Sequence, residues 1–197
     1  EISHVNNMIQ GEFILFENNE KNDTIEYHTY KNNLMDGPQK YYYENSKLGK
    51  HVYYKAGLLD GPHTTYTDSG KVEMKLHYKQ GKKDGKWIYY YESGKEAHVE
   101  NWSSGLKNGE FKMFFYDGST QTSENYKKGL KEGVFEEFYP DAKTKHKRVF
   151  KKDVLIEEYK YDEHGRETYA FPERIQSDEE DDAAPTMGDD KKKKKNR

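Results

Sequence analysis

The stretch "YKQGKKDGKWIYYYESGKEAHVENW", residues 78–102, decides the fold, because it returns along the chain at a fixed spacing. Moving 24 residues onward gives "WSSGLKNGEFKMFFYDGSTQTSENY", and moving 24 back gives "YKAGLLDGPHTTYTDSGKVEMKLHY". Self-similarity at this period indicates a repeat array. We number repeats 2 to 7 from the aromatic residues that open them: Tyr30, Tyr54, Tyr78, Trp102, Tyr126 and Phe150. Repeat 1, "QGEFILFENNEKND", carries a two-residue insertion, and repeat 7 is degenerate.

Each repeat contains two turn signals separated by runs that are typical of β-strands. The second signal is a dipeptide such as Ser93-Gly94, and the runs between turns are rich in Tyr, Phe, Trp, Val and Thr. The pattern predicts an all-β fold: an elongated single-layer antiparallel sheet of six to seven 24-residue β-hairpin repeats, with about twelve to fourteen strands. We place the array at residues 1–170 and a capping segment with a flexible tail at 171–197. The first turn signal is a glycine three residues after the leading aromatic, at Gly57, Gly81, Gly105 and Gly129. It is followed closely by Asp-Gly, Asn-Gly or Glu-Gly, whose structural glycine recurs at Gly37, Gly61, Gly85, Gly109 and Gly133.

Alternation along the strands then assigns the side chains to two faces. If Ser93-Gly94 forms a two-residue turn, Trp87, Tyr89 and Tyr91 share one face with Glu96 and His98. Rings on both sides of a thin sheet stabilise it through cross-strand pairs, so most of the aromatic residues are expected to be scaffold. The opposite face is predicted to carry one ring per repeat: Tyr42, Tyr66, Tyr90, Phe114 and Phe138.

The composition limits the classes of function that the protein can have. Of 197 residues, 32% are hydrophobic and 35% charged, while aromatic residues make up 15%, so rings supply most of the apolar area. The net charge of −3 gives no general attraction to nucleic acid. Lysines alternate with rings as in single-strand binders, but Glu100 and Glu124 in the same strands argue against that function. The chain has no cysteine, which excludes disulfides, thiol catalysis and thiolate metal sites.

Motifs for catalysis are missing from the sequence. The eight histidines are scattered, and HExxH, GxSxG and P-loop motifs do not occur. The glycines of "QGKKDGK" recur in repeats that lack its lysines, which identifies them as turn residues. A single-layer sheet offers a shallow groove, whereas catalysis needs a concave, water-excluding pocket. We therefore expect no enzymatic activity, no metal, no cofactor and no small-molecule substrate.

The repeat pattern resembles the MORN repeat, and more closely its bacterial variant in YwqK-like proteins. The resemblance covers about residues 8–168 and implies an elongated, twisted sheet that serves as an assembly surface without activity of its own. Departures from the family pattern make repeats 2 and 3 less aromatic on one face than repeats 4 to 6. The departures are local: Asn33 and Asp153 replace the first glycine, Ser46 and Ala142 the second-turn glycine, and Gln39 and His63 the ring of Trp87, Phe111 and Phe135.

The expected function is a non-catalytic protein–protein interaction scaffold in a bacterial envelope or secretion-type complex. One alternative is an antitoxin or immunity protein, as the YwqK-like label implies, and another is a peripheral membrane or lipid-binding protein. Free sheet edges also allow a partner to add a strand. Aromatic residues dominate interface hot spots, so the candidate contact residues are Trp87, Tyr89, Tyr91, Phe111, Phe115, Phe135 and Tyr139.

The two ends of the sequence lead to further expectations. An acidic run at 178–182 and a basic run at 191–195 predict a solvated tail, because neither can bury enough apolar area to order itself. As a docking peptide, the tail would engage an acidic partner through Lys191, Lys192, Lys193, Lys194 and Lys195. The chain starts at Glu1 and not at Met, which favours an extracytoplasmic protein after signal-peptide removal, with a cytoplasmic location as the alternative.

Overall fold

The computed structural model describes residues 3–5, 8–16 and 24–172, and every regular element in these ranges is a β-strand. The predicted all-β fold class is confirmed. The candidate tail lysines and the acidic run lie outside the described residues. The strands are β1 Ser3–Val5, β2 Met8–Phe16, β3 Thr24–Lys31, β4 Leu34–Met35, β5 Gly37–Tyr42, β6 Leu48–Lys55, β7 Leu58–Tyr66, β8 Val72–Lys79, β9 Lys82–Lys83, β10 Gly85–Tyr90, β11 Glu96–Ser103, β12 Leu106–Lys107, β13 Gly109–Phe114, β14 Thr120–Lys127, β15 Leu130–Lys131, β16 Gly133–Phe138, β17 Thr144–Lys151, β18 Val154–Tyr161 and β19 Glu167–Phe171.

The strands form one open antiparallel sheet in which neighbours in sequence are neighbours in space. Thus β10 pairs with β8 and β11, and β13 pairs with β11 and β14. The two-residue strands β4, β9, β12 and β15 each continue into the next strand after a one-residue break, which leaves fifteen longer strands in the described part of the chain. The predicted twelve to fourteen is therefore slightly too low. At about 4.8 Å per strand, the sheet is on the order of 70 Å long.

The turn between β10 and β11 and its equivalents in repeats 2 to 7 have three residues each, and we call them the long turns. The predicted two-residue turn is therefore wrong. In repeat 4 the Tyr91 N–H donates to the Lys95 carbonyl at 2.9 Å, and the Gly94 N–H donates to the Tyr91 carbonyl at 2.8 Å. Gly94 has a φ of 82°. A type I turn followed by a left-handed residue is the usual form of a three-residue hairpin loop. The same pair of bonds recurs at 43–47, 67–71, 115–119, 139–143 and 162–166.

The additional turn residue changes the register and moves Glu96 to the other face. Tyr89 is paired with His98, but the register shifts and Tyr90 is paired with Glu96. Glu96 Oε1 accordingly lies 3.5 Å from Nζ of Lys86, which alternates with Trp87 along β10. The placement of Trp87 and Tyr89 beside His98 is confirmed, whereas that of Glu96 was wrong. We call the side of Trp87 the ring face and the side of Tyr90 the opposite face.

Repeat 7 is one residue shorter than the others, which moves its rings. Ser123 in repeat 5 pairs with Glu136, but Lys147, one repeat later, pairs with Tyr159, one position earlier than the period requires. Arg148 consequently faces Glu158 on the ring face, and Tyr159 lies on the opposite face. The ring series of the ring face thus ends before β18.

The three-residue turns generate a test of backbone strain. Ala142 holds the left-handed position of its turn with a φ of 64°, where Cβ is unfavourable. We expect Ala142→Gly to raise the free energy of unfolding by about 1 kcal/mol, measured by urea denaturation. Gly94→Ala is the matched reverse change, because a Cβ there meets nothing within 4 Å and only backbone strain is added. A loss of stability in Ala142→Gly would contradict the assignment of strain to this position.

Candidate interaction surface

The ring face carries a continuous stack of aromatic side chains through repeats 4 to 6. Neighbouring ring centroids are 4.9–6.2 Å apart, and most pairs are tilted or edge-to-face, the arrangement that aromatic rings prefer. Each repeat contributes one ring from the strand that follows a glycine and one from the strand that precedes it, so every ring inside the stack contacts rings of two strands. We call this set the ring stack: Tyr78, Trp87, Trp102, Phe111, Tyr126, Phe135 and Phe150.

In repeats 4 to 6 a lysine lies over the ring stack. It comes two residues after the two-residue turn, 80–81 in repeat 4, which we call the short turn. Lys83 Nζ is 4.0 Å from the Trp87 ring centroid and 4.2 Å from that of Trp102. Lys107 is placed in the same way over Phe111 and Tyr126, at 4.8 and 4.3 Å. Lys131 repeats the arrangement over the next two rings. The aliphatic part of a lysine can cover apolar surface while the amine stays in water, so these three side chains supply the cover that a second layer would give.

The lysine cover changes what the candidate contact residues can offer a partner. Trp87, Phe111 and Phe135 are only 3%, 4% and 2% exposed, so their rings are packed against the protein itself. Trp87 Nε1 also donates to the His77 carbonyl at 2.8 Å. These three rings lie in the core of the sheet, and a partner on this face would contact the lysines above them. Their role in binding stays a prediction.

The other four candidate residues are half-buried. Tyr89 stacks on His98 with ring centroids 5.5 Å apart. The hydroxyls of Tyr91 and Tyr139 each donate to a main-chain carbonyl of the following repeat. Phe115 occupies the position equivalent to Tyr91 in the next turn. The structure therefore assigns packing contacts to Tyr89, Tyr91 and Tyr139, and it separates the seven candidates into a buried set and a set near the long turns.

Repeats 2 and 3 replace the stacked rings by polar side chains. Gln39 is fully buried, and its Oε1 lies 2.9 Å from Nδ1 of His28 and accepts from the Thr29 N–H at 3.2 Å. Its Nε2 donates to the Thr29 carbonyl at 3.0 Å. Buried polar groups are tolerated when they are hydrogen-bonded in this way. In repeat 3, His63 takes the ring position and stacks on Tyr78 at 5.9 Å.

The opposite face carries an exposed row of apolar side chains that was not predicted from the sequence. Directly after the short turns, Leu34, Leu58, Leu106, Leu130 and Val154 occupy the same position of successive repeats, with Lys82 interrupting the series. They are 42–61% exposed. A Cβ built at Gly57 would lie 3.4 Å from Leu34 Cδ2, so a leucine packs on the glycine of the next repeat with one side only. We call these five residues the leucine row. Their 24-residue recurrence was visible in the sequence.

Lysines accompany the leucine row. The cross-strand partners of Leu34, Leu58, Leu130 and Val154 are Lys31, Lys55, Lys127 and Lys151. Near the end of the row, a groove of about 240 Å³ is lined by Leu130 together with Lys127, Lys128, Glu132 and Lys152. The surface therefore combines apolar contact area with positive charge on its flank.

The described ranges of the chain contain neither a metal-binding cluster nor a membrane-spanning helix. No group of three or more His, Asp or Glu side chains is arranged there to hold a metal ion. In the same ranges no helix is long and apolar enough to cross a membrane.

Burial of the ring stack predicts a large stability effect at Trp87. We expect Trp87→Ala to lower the free energy of unfolding by about 3–5 kcal/mol, because it leaves a cavity under Lys83 and removes the bond to the His77 carbonyl. Leu106→Ser is the matched exposed change and should stay within about 0.5 kcal/mol of the wild type in urea denaturation. Equal losses in the two variants would show that the ring stack is not the core.

The histidine in the ring position predicts a pH effect. Burial and, to a smaller extent, Lys50 lower the pKa of His63 below its ordinary value of 6.5. Below pH 6.5 the unfolded chain takes up a proton more readily than the folded one, so the free energy of unfolding should fall as the pH decreases. His63→Phe should make unfolding less dependent on pH between 7 and the lowered pKa. An NMR titration in which His63 takes up its proton at or above pH 6.5 would contradict this.

Comparison with known proteins identifies the repeat. Three consecutive segments, residues 35–56, 59–80 and 83–95, match the family model described as MORN repeat variant. No curated protein matches the chain. MORN repeats are generally associated with interactions with proteins or membrane lipids. The narrower YwqK-like assignment stays a prediction, and the three matched segments between residues 35 and 95 are MORN repeats of the variant type.

Proposed function

We propose that this protein is a non-catalytic interaction scaffold and that a partner protein docks along the leucine row. The supporting observation is the row itself: one half-exposed apolar side chain at the same place in five repeats, with lysines on its flank. Single exposed apolar residues are normal on protein surfaces, but aligned ones form a contiguous patch that water covers poorly. A patch of this kind is typical of a surface that binds another protein.

The spacing of the row suits a helical partner with an acidic flank. Two strands per repeat separate successive row positions by about 10 Å. Seven residues of an α-helix rise about 10.5 Å, so a helix with an apolar residue every seven positions matches the spacing. Strand twist of roughly 20–25° per strand limits this match to two or three repeats. Lys82 divides the row into segments of that size, Leu34 with Leu58 and Leu106 with Leu130 and Val154.

The test compares variants of the two faces in a cross-linking capture experiment. Leu106→Ser combined with Leu130→Ser should abolish capture of the partner at unchanged fold, because both side chains are largely exposed. Met113→Ser is the matched control, since Met113 is 45% exposed but lies on the ring face, paired with Thr122. Added salt should slow association, because the flanking lysines steer an acidic partner.

Three outcomes would count against the proposal. Loss of capture in Met113→Ser alone would move the binding site to the ring face. Capture that survives in both variants would rule out either face as the docking site. Binding of the purified protein to anionic vesicles, lost with the leucine row, would favour the peripheral membrane alternative.

The cellular setting belongs to the proposal as well. We propose a partner in a bacterial envelope or secretion-type complex, with the antitoxin or immunity role as the alternative. Stable co-purification with several envelope subunits supports the first setting. Rescue of growth when the protein is co-expressed with a toxin, together with a one-to-one complex, supports the second.

A further inference from the structure

In repeats 2, 4 and 6 a tyrosine joins the long turn to that of the following repeat, and in repeat 5 Phe115 takes the same position without a hydroxyl. The Tyr43 hydroxyl donates to the Tyr66 carbonyl at 2.7 Å, that of Tyr91 donates to the Phe114 carbonyl at 2.6 Å, and that of Tyr139 reaches the next repeat at 3.1 Å. Each tyrosine opens its own turn and bonds to the last strand residue before the following turn. The ring thus fills the gap between two turns, and its hydroxyl binds the main-chain carbonyl at the end of that gap.

The position of the ring in this gap is shown by its contacts. A Cβ at Gly49 would lie 2.9 Å from the Tyr43 ring, so that ring lies flat against the strand that leaves its turn. The ring of Tyr91 packs against Tyr116 of the following repeat, with centroids 5.1 Å apart. Tyr139 keeps the same hydroxyl bond with Lys145 in the place of Gly49. The gap therefore accepts a tyrosine beside a lysine as well as beside a glycine.

Repeat 3 departs from this arrangement because it has Thr67 where the tyrosine belongs. The Thr67 hydroxyl lies 2.7 Å from Ser69 Oγ and accepts from the Lys71 N–H at 3.0 Å, so it is engaged within its own turn. The carbonyl of Tyr90 is the equivalent of the carbonyls of Tyr66 and Phe114, one repeat away from each. A threonine side chain bound to its own turn does not occupy the gap in front of that carbonyl.

The gap between repeats 3 and 4 is open as a result. It forms a cavity of about 340 Å³ whose lining includes Val72, Met74, Tyr89 and Tyr91. Lys71 bridges the turns on the outside by donating from Nζ to the Glu92 carbonyl at 2.8 Å. A lysine bridge also accompanies the filled gaps, where Nζ of Lys47 donates to the Ser69 carbonyl at 3.2 Å and Nζ of Lys95 to the Asp117 carbonyl at 2.6 Å. These two acceptors lie one position later in the turn than Glu92. A lysine therefore joins the two turns whether the gap is filled or empty.

We propose that this cavity binds a phenol group, supplied by a tyrosine side chain of the partner protein. The partner's hydroxyl donates to the Tyr90 carbonyl, and its ring packs on Met74 and Tyr89, since methionine sulfur and aromatic rings attract each other. The protein's own tyrosines at three equivalent positions define the side chain that fits. This inference rests on the proposed function, because it takes the ligand from a protein partner.

The first test fills the cavity from within. Thr67→Tyr should restore the bond to the Tyr90 carbonyl and raise Tm by about 2–4 °C. Thr67→Phe is the matched control; it fills the same space without the hydroxyl and should give a smaller rise. If Thr67→Tyr lowers Tm while Thr67→Phe does not, the cavity does not accept a phenol and the proposal is overturned.

The second test supplies the phenol from solution. N-acetyl-tyrosinamide should shift the Met74 methyl signal in NMR spectra of the full chain, with a dissociation constant on the order of 1 mM. N-acetyl-phenylalaninamide should bind about twofold to tenfold more weakly, because it lacks the donor to the carbonyl. Thr67→Tyr should abolish both shifts. An unchanged Met74 signal in the wild type, or equal shifts in Thr67→Tyr, would overturn the proposal.

Capture of the partner then separates this inference from the proposed function. Thr67→Tyr should weaken capture at least about fivefold if the partner inserts a tyrosine. Full capture by Thr67→Tyr, with loss in the double variant of Leu106 and Leu130, would overturn the tyrosine site and leave the scaffold in place. Full capture by all of these variants would overturn the scaffold proposal itself.

Discussion

The contact on which this structure depends is the one between aromatic rings of successive repeats. A single-layer sheet has no second sheet or helix to cover it, so each repeat can bury apolar area only against its neighbours. Trp87 packs between Tyr78 and Trp102, and Phe111 between Trp102 and Tyr126. Stability in such an array arises mainly at the junctions between repeats. A change in one of these rings therefore weakens one contact within its repeat and one junction to the neighbouring repeat.

The long edges of the sheet secure these junctions by different means. At the short turns, an acidic or amide side chain accepts from a main-chain N–H of the next repeat, as Asp60 does from Gln80 at 3.2 Å and Asn108 does from Lys128 at 3.1 Å. At the long turns, a lysine amine donates to a main-chain carbonyl of the next turn, as Lys95 does to Asp117. The period of 24 residues is thus required by three separate contacts per repeat. That explains why departures from the period, the insertion in repeat 1 and the missing residue in repeat 7, are confined to the two ends of the array.

The period and the two faces were predictable from sequence because they depend on spacing alone. The three-residue turn was not predicted, since Ser93-Gly94 fits a two-residue turn equally well by composition, and the error displaced Glu96 to the wrong face. The covering role of Lys83 was missed because a lysine beside a turn is normally assigned to solvent. Because Lys83 was assigned to solvent, the ring of Trp87 was expected to be accessible to a partner. In the structure Lys83 lies over this ring, and Trp87 is buried.

The exceptions to the repeat pattern meet at one junction. Between repeats 3 and 4 the ring series contains His63, the long turn has Thr67 in place of tyrosine, and the leucine row is broken by Lys82. Each of these substitutions alone is compatible with the fold of a repeat. Together they weaken apolar contact on the ring face, open a cavity at one edge and place a charge at the other, all within one repeat length. A repeat array gains stability from what its units share, whereas a specific partner must recognise what one unit has and the others lack. The junction of repeats 3 and 4 is where this chain offers such a difference, and it lies between the two segments of the leucine row.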